Sequence, residues 1–421
     1  MTYLPVVIIG GGHAGLAMSR RLTERSIAHV VVERGEVANS WRTERWDSLR
    51  LLTPNWHAAL PGAADHPDPH GFMSASEVAR RIAGYAAAID APVAEHTTVT
   101  RIAAAGDGYD VVTDRGVWRC TAVVLATGGA AVPALPACAA GLRPAVTSLT
   151  ALDYRNPAGL PDGGVLVVGG SATGVQLAEE IHTSGRPVTL SIGEHVRMPR
   201  RYRGRDVFWW LETAGVMAER YDAVDDLVRA RHLPSPQLVG TPEHRTLDLR
   251  SLSARGVRIT GRLGRIHDGV AQFSGGLANV CELADLKLAR LLRTFDSAAT
   301  RLALDDDLGA PEEFAATRLG GAPITELDLA RAGIRTIVWA TGMRPDHGWL
   351  DLPVFDHAGR LRHDGGVVAP GLYALGLPLL RRRRSSYIGG AAADTDDLAG
   401  IVHRHLDDQA SVGRMPRPAA S

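Results

Sequence analysis

The chain has 421 residues, of which 45% are apolar, and equal numbers of acidic and basic side chains. This length and apolar content predict two or three domains with substantial cores. The formal net charge of zero argues against nucleic acid as a partner, because binding to nucleic acid normally requires a basic excess. The three cysteines, Cys120, Cys138 and Cys281, form no Cys-x-x-Cys pair, which excludes a redox centre built from neighbouring cysteines.

The chain enters an apolar strand by Val6 without a basic leader segment. It also lacks any uninterrupted apolar run of about 18 residues, the length needed to cross a bilayer as a helix. We therefore expect a cytoplasmic protein with no membrane partner.

Residues 6–15 have the pattern of a buried strand, a glycine-rich turn and a helix. Gly10 permits a tight turn, Gly12 leaves room for a pyrophosphate, and Gly15 lets the helix pack closely on the strand. The first N–H groups of such a helix point at the phosphates. Glu33 follows the next apolar run and is placed to accept hydrogen bonds from a ribose 2′-hydroxyl. This unit predicts a site for FAD.

The segment between this unit and the next is predicted to contain one helix and several strands. The helix covers residues 76–88, with Ser74 or Ser76 as its N-cap. Two strands at 98–103 and 109–113 are joined by a glycine turn, which is typical of a hairpin. The loop from 54 to 70 is rich in His and Asp, but it lacks the spacing of a metal site, so we expect no bound metal.

A second strand, glycine-rich turn and helix occupies residues 165–174, with Ser171 in place of the middle glycine. The position that matches Glu33 falls near Ser191, where no carboxylate is present. Several arginines follow between 197 and 205, and arginine forks commonly hold a ribose 2′-phosphate. The second unit therefore predicts NADPH rather than NADH, and the alternative is a solvated basic loop.

The remainder of the chain predicts further helices and a return to the first sheet. Phe208, Trp209 and Trp210 begin an apolar helix and either line a substrate pocket or lie in the core. A helix is predicted over 277–295, a buried strand over 334–340, and a final helix over 394–405. The arginine run at 381–384 lies either beside cofactor phosphates or on the solvated surface.

Two Ala-Thr-Gly elements, at 126–128 and 340–342, each end a predicted buried strand. They are placed where the chain would cross between two dinucleotide-binding units. The predicted fold class is therefore α/β, with two Rossmann-like dinucleotide-binding domains and the NADPH domain inserted into the FAD domain. The predicted domain ranges are 1–155 and 346–421 for FAD and 156–345 for NADPH.

The two glycine turns, the segment Ser40-Trp41-Arg42 with residues 46–54, and residues 338–345 resemble those of class B flavoprotein monooxygenases. This group includes flavin-containing monooxygenases, plant YUCCA-type enzymes and Baeyer-Villiger monooxygenases. One departure concerns the family fingerprint Phe-x-Gly-x-x-x-His-x-x-x-Tyr/Phe, of which only the last position is matched, by Tyr154. Pro144, Val146 and Thr150 occupy its other positions, which argues against Baeyer-Villiger chemistry in particular.

The resemblance implies an enzyme that passes hydride from NADPH to FAD, forms a C4a-peroxyflavin and oxygenates a nitrogen, sulfur or activated carbon centre. Its partners would be a small organic molecule and O2, and a homodimer is left open. Two alternatives remain: a reductase that passes electrons to a carrier protein, and a flavin or nucleotide sensor. The absence of a catalytic triad fits the oxygenase, because the cofactors perform the difficult steps.

The resemblance also implies a set of site residues. The candidate catalytic residues are Arg42, Thr53 and Asn55, with Asn55 a possible hydrogen-bond donor to reduced oxygen or an ordinary turn residue. The predicted cofactor-binding residues are Gly10, Gly12, His13, Ala14, Gly15, Glu33, Arg34, Trp41, Arg42, Leu52, Thr127, Gly128, Gly169, Ser171, Ala172, Thr173, Gly174, Ser191, Arg197, Arg200, Arg201, Thr341 and Gly342.

Overall fold

The computed structural model describes residues 1–412. Its strands, in chain order, are β1 Thr2–Ile9, β2 His29–Val32, β3 Val93–Ala94, β4 Val99–Ala105, β5 Gly108–Thr113, β6 Gly116–Leu125, β7 Val132–Pro133, β8 Thr147–Thr150, β9 Gly164–Val168, β10 Val188–Ser191, β11 Val196–Arg197, β12 Arg201–Tyr202, β13 Arg205–Asp206, β14 Pro236–Gln237, β15 Arg258–Thr260, β16 Leu263–His267, β17 Val270–Phe273, β18 Glu326–Asp328, β19 Ile334–Trp339, β20 Met343–Arg344, β21 Leu350–Asp351, β22 Val367–Ala369 and β23 Leu372–Ala374.

The α-helices lie between and around these strands. They are α1 His13–Thr23, α2 Asn39–Thr43, α3 Ala75–Ala88, α4 Ala172–Thr183, α5 Val207–Thr213, α6 Leu227–Arg231, α7 Leu249–Ala254, α8 Leu277–Arg301 and α9 Ala391–Val412. Short 3-10 helices occupy Asn55–Ala58, Ala137–Gly141, Pro157–Gly159, Tyr221–Ala223, Asp305–Asp307, Arg383–Ser386 and Ile388–Gly390.

The first sheet combines a parallel part with an antiparallel part. Strands β3, β2, β1, β6 and β23 run parallel, and β6 continues into an antiparallel meander with β5 and β4. Both faces of the apolar half of β1, residues 6–9, are buried, as its apolar run predicts for a strand covered by helices on each side. Helices α1 and α9 lie side by side on this sheet.

The second sheet is entirely parallel, in the order β15-β10-β9-β19-β8. An antiparallel group of β16, β17 and β18 lies beyond it. Together the two sheets confirm the predicted fold class, since the chain leaves the first sheet after β6, builds the second, and returns to the first at β21. Strand β8 already belongs to the second sheet, so the chain enters that sheet before residue 155.

The domain ranges 1–155, 156–345 and 346–421 therefore stay a prediction. Residues 413–421 of the third range lie outside the described part of the chain. Other sequence predictions agree closely with the structure. Helix α3 begins at Ala75. Ser74 and Glu77 form a capping box, in which each side chain accepts a hydrogen bond from the backbone N–H of the other. The hairpin of β4 and β5 forms around the glycine turn at 106–108.

The two crossings between the sheets form one ribbon. Strand β7 pairs antiparallel with β20, and Ala134 N–H donates to the Gly342 carbonyl at 2.9 Å. The Thr341 hydroxyl donates to the Ala134 carbonyl at 2.8 Å. The ribbon starts at the carboxyl end of β6 and at the carboxyl end of β19, so it joins the edges of both sheets at which the glycine turns lie.

The segment between 46 and 54 belongs to the first unit in sequence but packs against the second. Trp46 is 7% exposed and lies in the apolar core of the second sheet with Tyr154. The Asp47 N–H donates to the Arg155 carbonyl, and Asn156 Nδ2 donates to the Asp47 carboxylate at 2.6 Å. The segment is thus held between the two domains.

We expect Trp46→Ala to lower the free energy of unfolding by about 3–5 kcal/mol, because it opens a cavity in the second core. Urea unfolding followed by fluorescence measures this loss. Trp118→Ala, at a half-buried position on β6, is the matched control and should cost less. An equal loss for both variants would contradict the docking role given to Trp46.

Candidate functional site

The first glycine turn has the geometry that its sequence predicts. Gly10 has a φ of +110°, and a Cβ there would lie 2.6 Å from the Ala126 carbonyl oxygen. A Cβ on Gly15 would overlap the Gly10 carbonyl oxygen, so helix and strand approach closely only with glycine there. At Gly12 a Cβ would meet no atom within 4 Å. The protein therefore leaves space beside Gly12 at the start of α1.

The second turn repeats this geometry. Gly169 has a φ of +126°, and a Cβ there would overlap the Ala340 carbonyl oxygen. A Cβ on Gly174 would overlap the Gly169 carbonyl oxygen. Ser171 stands at the N-cap of α4, followed by buried Ala172 and half-buried Thr173. Each turn thus touches the Ala-Thr-Gly element of its own sheet.

Helices α1 and α4 share a further feature at their N-termini. Within residues 1–412, no side chain caps either helix by a hydrogen bond. Ser74, Asp206 and Asp248 accept hydrogen bonds from backbone N–H groups in the first turns of α3, α5 and α7, whereas α2 and α8 also have no side-chain cap. Uncapped N–H groups together with the helix dipole form an anion site. Both turns therefore fit the pyrophosphate of a dinucleotide.

Several polar groups surround the first turn. The Glu33 carboxylate is buried and accepts hydrogen bonds from Gly11 N–H at 2.7 Å and from Gly35 N–H at 3.1 Å. His13 begins α1, and burial lowers the pKa of its imidazole to about 4, which keeps it neutral at this positive helix end. Gly128 has a φ of +74° beside half-buried Thr127. These residues lie together at the carboxyl edge of the first sheet.

Other predicted residues of the first unit make contacts of their own. Arg34 pairs with Glu44, and Arg42 Nε donates to the Val37 carbonyl at 3.1 Å. Trp41 packs on the cluster formed by α3 and lies under the Arg45 guanidinium. Trp41 and Arg42 thus lie on α2, and Arg34 lies beside it.

The three candidate catalytic residues have different surroundings. Asn55 Nδ2 donates to the Asp68 carbonyl at 2.8 Å, and Asn55 Oδ1 accepts from Met73 N–H at 2.9 Å. Both ends of the amide are therefore used to hold the 66–73 loop, as expected for a structural turn residue. Thr53 is buried on the segment between the domains, whereas Arg42 lies on α2. The structure thus supports no donor role for Asn55.

The position that matches Glu33 in the second unit is Ile192, not Ser191. The Gly10 N–H donates to the Val32 carbonyl and the Gly169 N–H to the Ser191 carbonyl, each at 2.8 Å. Ser191 is thus the counterpart of Val32, and its hydroxyl donates to the Gly261 carbonyl at 2.9 Å. The sequence analysis placed this position near Ser191, and the expected absence of a carboxylate there agrees with Ile192.

Two predicted phosphate-binding arginines are engaged elsewhere. Arg197 Nη1 lies 2.7 Å from the Asp285 carboxylate, and Arg197 Nη2 lies 3.4 Å from that of Asp248. Arg200 is 0% exposed, and its guanidinium donates to the Leu52 carbonyl at 2.7 Å and to Asp206 at 2.8 Å. The prediction that these side chains face a 2′-phosphate is therefore not supported, because neither guanidinium is available to a ligand.

Arg200 instead joins the two domains. Its guanidinium lies over the rings of Phe72 and Phe208, 5.0 and 5.5 Å from their centroids. Burial lowers the pKa of Arg200, although Asp206 opposes this shift by favouring the charged form. The neighbouring Arg201 is exposed on a short hairpin. Of the two adjacent arginines, only Arg201 can meet a ligand from solvent.

The arginine run 381–384 is engaged in ion pairs rather than freely solvated. Arg383 and Arg384 pair across the domains, whereas Arg381 and Arg382 pair with α9 of the first unit. Its location beside cofactor phosphates stays a prediction. Each guanidinium meets a carboxylate: Arg381 that of Asp397, Arg382 those of Asp394 and Asp397, Arg383 that of Glu219, and Arg384 that of Glu212. Three backbone hydrogen bonds join the same run to residues 217–221 of the second domain. The run therefore fastens the C-terminal part of the first unit to the second.

Sequence reasoning missed a cluster centred on His57. His57 Nε2 lies 3.0 Å from Glu212 Oε1, and Arg384 Nη1 lies 3.2 Å from the same oxygen. Burial would raise the pKa of Glu212, but the hydrogen bond from His57 and the charge of Arg384 outweigh it and lower the pKa overall. Phe208 and Tyr387 pack against the imidazole. No local signal marks this cluster, since its members are far apart in sequence.

The aromatic run at 208–210 is core rather than pocket wall. Phe208 and Trp210 are fully buried, and Trp210 stacks on Phe295 of α8. Trp209 is half-buried beneath the Arg205 guanidinium.

Among the described residues, no group of three or more His, Cys, Asp or Glu side chains is arranged to hold a metal ion. No helix in this part of the chain is long and apolar enough to cross a membrane.

The fold and the two uncapped turns define a protein with two dinucleotide-binding units facing one interdomain ribbon. Comparison with known proteins agrees with this class. Residues 7–211 match the family model described as pyridine nucleotide-disulphide oxidoreductase. An uncharacterized CzcO-like oxidoreductase from Geobacillus kaustophilus is 29% identical over 406 residues, covering 95% of this chain and 98% of the relative.

Two further comparisons concern monooxygenases. The indole-3-pyruvate monooxygenase YUCCA8 of Oryza sativa is 28% identical over 223 residues, covering 48% of this chain and 51% of the relative. The solved flavin-containing monooxygenase from Stenotrophomonas maltophilia has the same fold, with a TM-score of 0.67 at 19% identity, covering 96% of this chain and 99% of that one. The resemblance inferred from the motifs and the prediction of an oxidoreductase are confirmed.

The contrast between Gly12 and Gly15 is testable. We expect Gly12→Ala to leave the free energy of unfolding of the FAD-free protein within about 0.5 kcal/mol but to abolish flavin retention, because the new Cβ enters the ligand space. We expect Gly15→Ala to cost about 2 kcal/mol or more, because its Cβ meets a backbone carbonyl. Urea unfolding and flavin absorbance after gel filtration measure the two effects. Retention of FAD by Gly12→Ala would contradict the assignment of this space.

The adjacent arginines 200 and 201 form a matched pair. Arg200→Ala should destabilise the protein by about 3–5 kcal/mol, because it leaves a buried carboxylate and a buried carbonyl without their cation. Arg201→Ala should change the free energy of unfolding by less than about 0.5 kcal/mol. Equilibrium unfolding measures both, and similar small effects would contradict the interdomain role of Arg200.

Proposed function

We propose that the protein is an FAD-dependent, NADPH-consuming monooxygenase that oxygenates a nitrogen, sulfur or activated carbon centre of a small organic substrate. The observation that carries the proposal is the pair of uncapped helix N-termini, each beside a glycine turn and both at the ends of one interdomain ribbon. Two such sites in one chain serve hydride transfer between two dinucleotides.

The residues of each turn define how the cofactors would be held. The N-terminus of α1 with Gly12 would bind the pyrophosphate of FAD, and Glu33 would accept hydrogen bonds from its adenosine ribose. The N-terminus of α4 with Ser171 would bind the pyrophosphate of NADPH. Bound FAD would accept hydride and activate O2, chemistry that protein side chains do not supply.

The protein itself would align the two cofactors and exclude water from the contact between the domains. The segment 46–54 is held between the domains by Trp46 in the second core and by the Arg200 guanidinium on the Leu52 carbonyl. The His57 cluster and the arginine run close the contact around α5 and the C-terminal part of the first unit. A fixed, dry contact between the domains favours productive alignment over loss of activated oxygen to water.

A flavoprotein reductase that serves a carrier protein is the second candidate, favoured by the description of the matching family model. The cysteines do not support a dithiol version of that chemistry. Burial raises the pKa of Cys120 to about 12 and that of Cys281 to about 11, so both thiols stay protonated. Electron transfer to a carrier would then have to proceed directly from the flavin.

The test is product analysis under isotopically labelled O2. The FAD-loaded protein is supplied with NADPH and a panel of thioethers, amines and ketones, and NADPH loss, H2O2 and labelled product are quantified. We expect at least one substrate to yield labelled product in near-equal amount to the NADPH consumed, and the Gly12→Ala variant to consume none.

Two outcomes would overturn the proposal. NADPH oxidation that ends entirely in H2O2 across the panel, with rapid reduction of an added electron carrier, would favour the reductase. Failure of NADPH to reduce the bound flavin would exclude both enzymes and leave a sensor.

A further inference from the structure

The second dinucleotide unit lacks a recognised partner for the 2′ position of its nucleotide. In the first unit, a Cβ on Gly11 would lie 3.1 Å from Glu33 Cβ, which places the carboxylate beside the turn. In the second, a Cβ on Gly170 would lie 2.8 Å from Ile192 Cβ. An isoleucine cannot accept a hydrogen bond from a ribose hydroxyl. Ile192 therefore cannot distinguish a 2′-hydroxyl from a 2′-phosphate. A neighbouring side chain would have to bind the 2′ group.

The neighbouring strand supplies that side chain. Strand β15 runs parallel to β10, with Thr260 opposite Ser191, and the Ile192 N–H donates to the Thr260 carbonyl at 3.0 Å. Arg262 is the second residue after the carboxyl end of β15. Its side chain lies over Gly193, because a Cβ on that glycine would be 3.3 Å from Arg262 Nε. The Arg262 guanidinium thus stands beside Ile192 and Gly193, at the edge where parallel strands bind nucleotides.

Arg262 differs in accessibility from most of the arginines that the sequence favoured; Arg201 is also exposed, but it lies on the hairpin of β12 and β13. Arg197 and Arg203 are each held by two carboxylates, and Arg200 is fully buried. Arg262 is exposed. Its guanidinium is accessible to a ligand that approaches the second turn from solvent.

A competing group is the carboxylate of Glu194, the residue after Gly193, which would favour a ribose hydroxyl over a phosphate. Lys287 Nζ binds this carboxylate at 2.6 Å. The hydrogen bond from Lys287, with the charges of Arg229 and Arg262, lowers the pKa of Glu194. Glu194 is thus ionised and neutralised by Lys287, so the cationic character of Arg262 prevails beside Gly193.

We propose that Arg262 binds the 2′-phosphate of NADPH and thereby sets the preference for NADPH over NADH. The inference rests on the proposed binding of a nicotinamide dinucleotide at the second turn. A guanidinium fork matches a phosphate with two parallel hydrogen bonds, whereas it gains little from a ribose hydroxyl.

Binding of nucleotide fragments tests the proposal without turnover. Isothermal titration of the FAD-loaded protein with 2′,5′-ADP and with 5′-AMP compares ligands that differ only in the 2′-phosphate. We expect Arg262→Ala to weaken 2′,5′-ADP about tenfold or more, as for loss of a charge-assisted contact, and to change 5′-AMP less than about twofold. Arg262→Lys should retain part of the lost affinity, because it keeps the charge without the fork.

Arg265→Ala is the matched control, since Arg265 is also exposed but lies on β16, further from the turn. It should leave the binding of both fragments unchanged. An equal loss of both fragments on Arg262→Ala would overturn the proposal, as would loss of 2′,5′-ADP binding on Arg201→Ala rather than on Arg262→Ala.

The same variants separate this inference from the proposed function. If NADPH reduces the flavin and Arg262→Ala leaves the NADPH-to-NADH preference unaltered, the role of Arg262 is wrong while the function stands. If Arg262→Ala removes selective 2′,5′-ADP binding but NADPH never reduces the wild-type flavin, the phosphate site stands while the function is wrong.

Discussion

The close approach of each glycine-rich turn to its own helix is the constraint on which the rest of the structure depends. At Gly15 and at Gly174 the helix lies so near the preceding turn that a side chain would overlap a backbone carbonyl. This approach places the N-termini of α1 and α4 at the carboxyl edges of their sheets. The Ala-Thr-Gly elements leave the same edges, so the ribbon of β7 and β20 connects the two turns directly.

The contact between the domains combines paired arginines with apolar side chains such as Trp46. Arg200 lies between Phe72 and Phe208 with Asp206 and the Leu52 carbonyl as partners. Arg383 and Arg384 pair with Glu219 and Glu212 of the second domain. Removing one partner from a buried ion pair is costly, because the other charge is left without compensation. Such contacts specify one arrangement of the domains, which is what alignment of two cofactors requires.

The fold was predictable in most of its parts. Apolar strands that run into glycine turns, the Ser74 cap of α3 and the hairpin of β4 and β5 depend on residues close together in sequence, and all of them form as expected. The site was predictable only where the same local rules apply. The sequence analysis placed the counterpart of Glu33 near Ser191, and backbone pairing places it at Ile192, the next residue.

The sequence by itself determined the two dinucleotide turns and the α/β class, because steric limits at glycine and the periodicity of apolar residues act over a few positions. Only the tertiary structure decided which arginines are accessible. Arg197 reaches Asp285, 88 positions away, Arg200 reaches the Leu52 carbonyl, 148 positions away, and Arg262 lies exposed beside Gly193. The physical reason is that ion pairs form between groups that folding brings together, and their partners leave no pattern in the adjacent sequence.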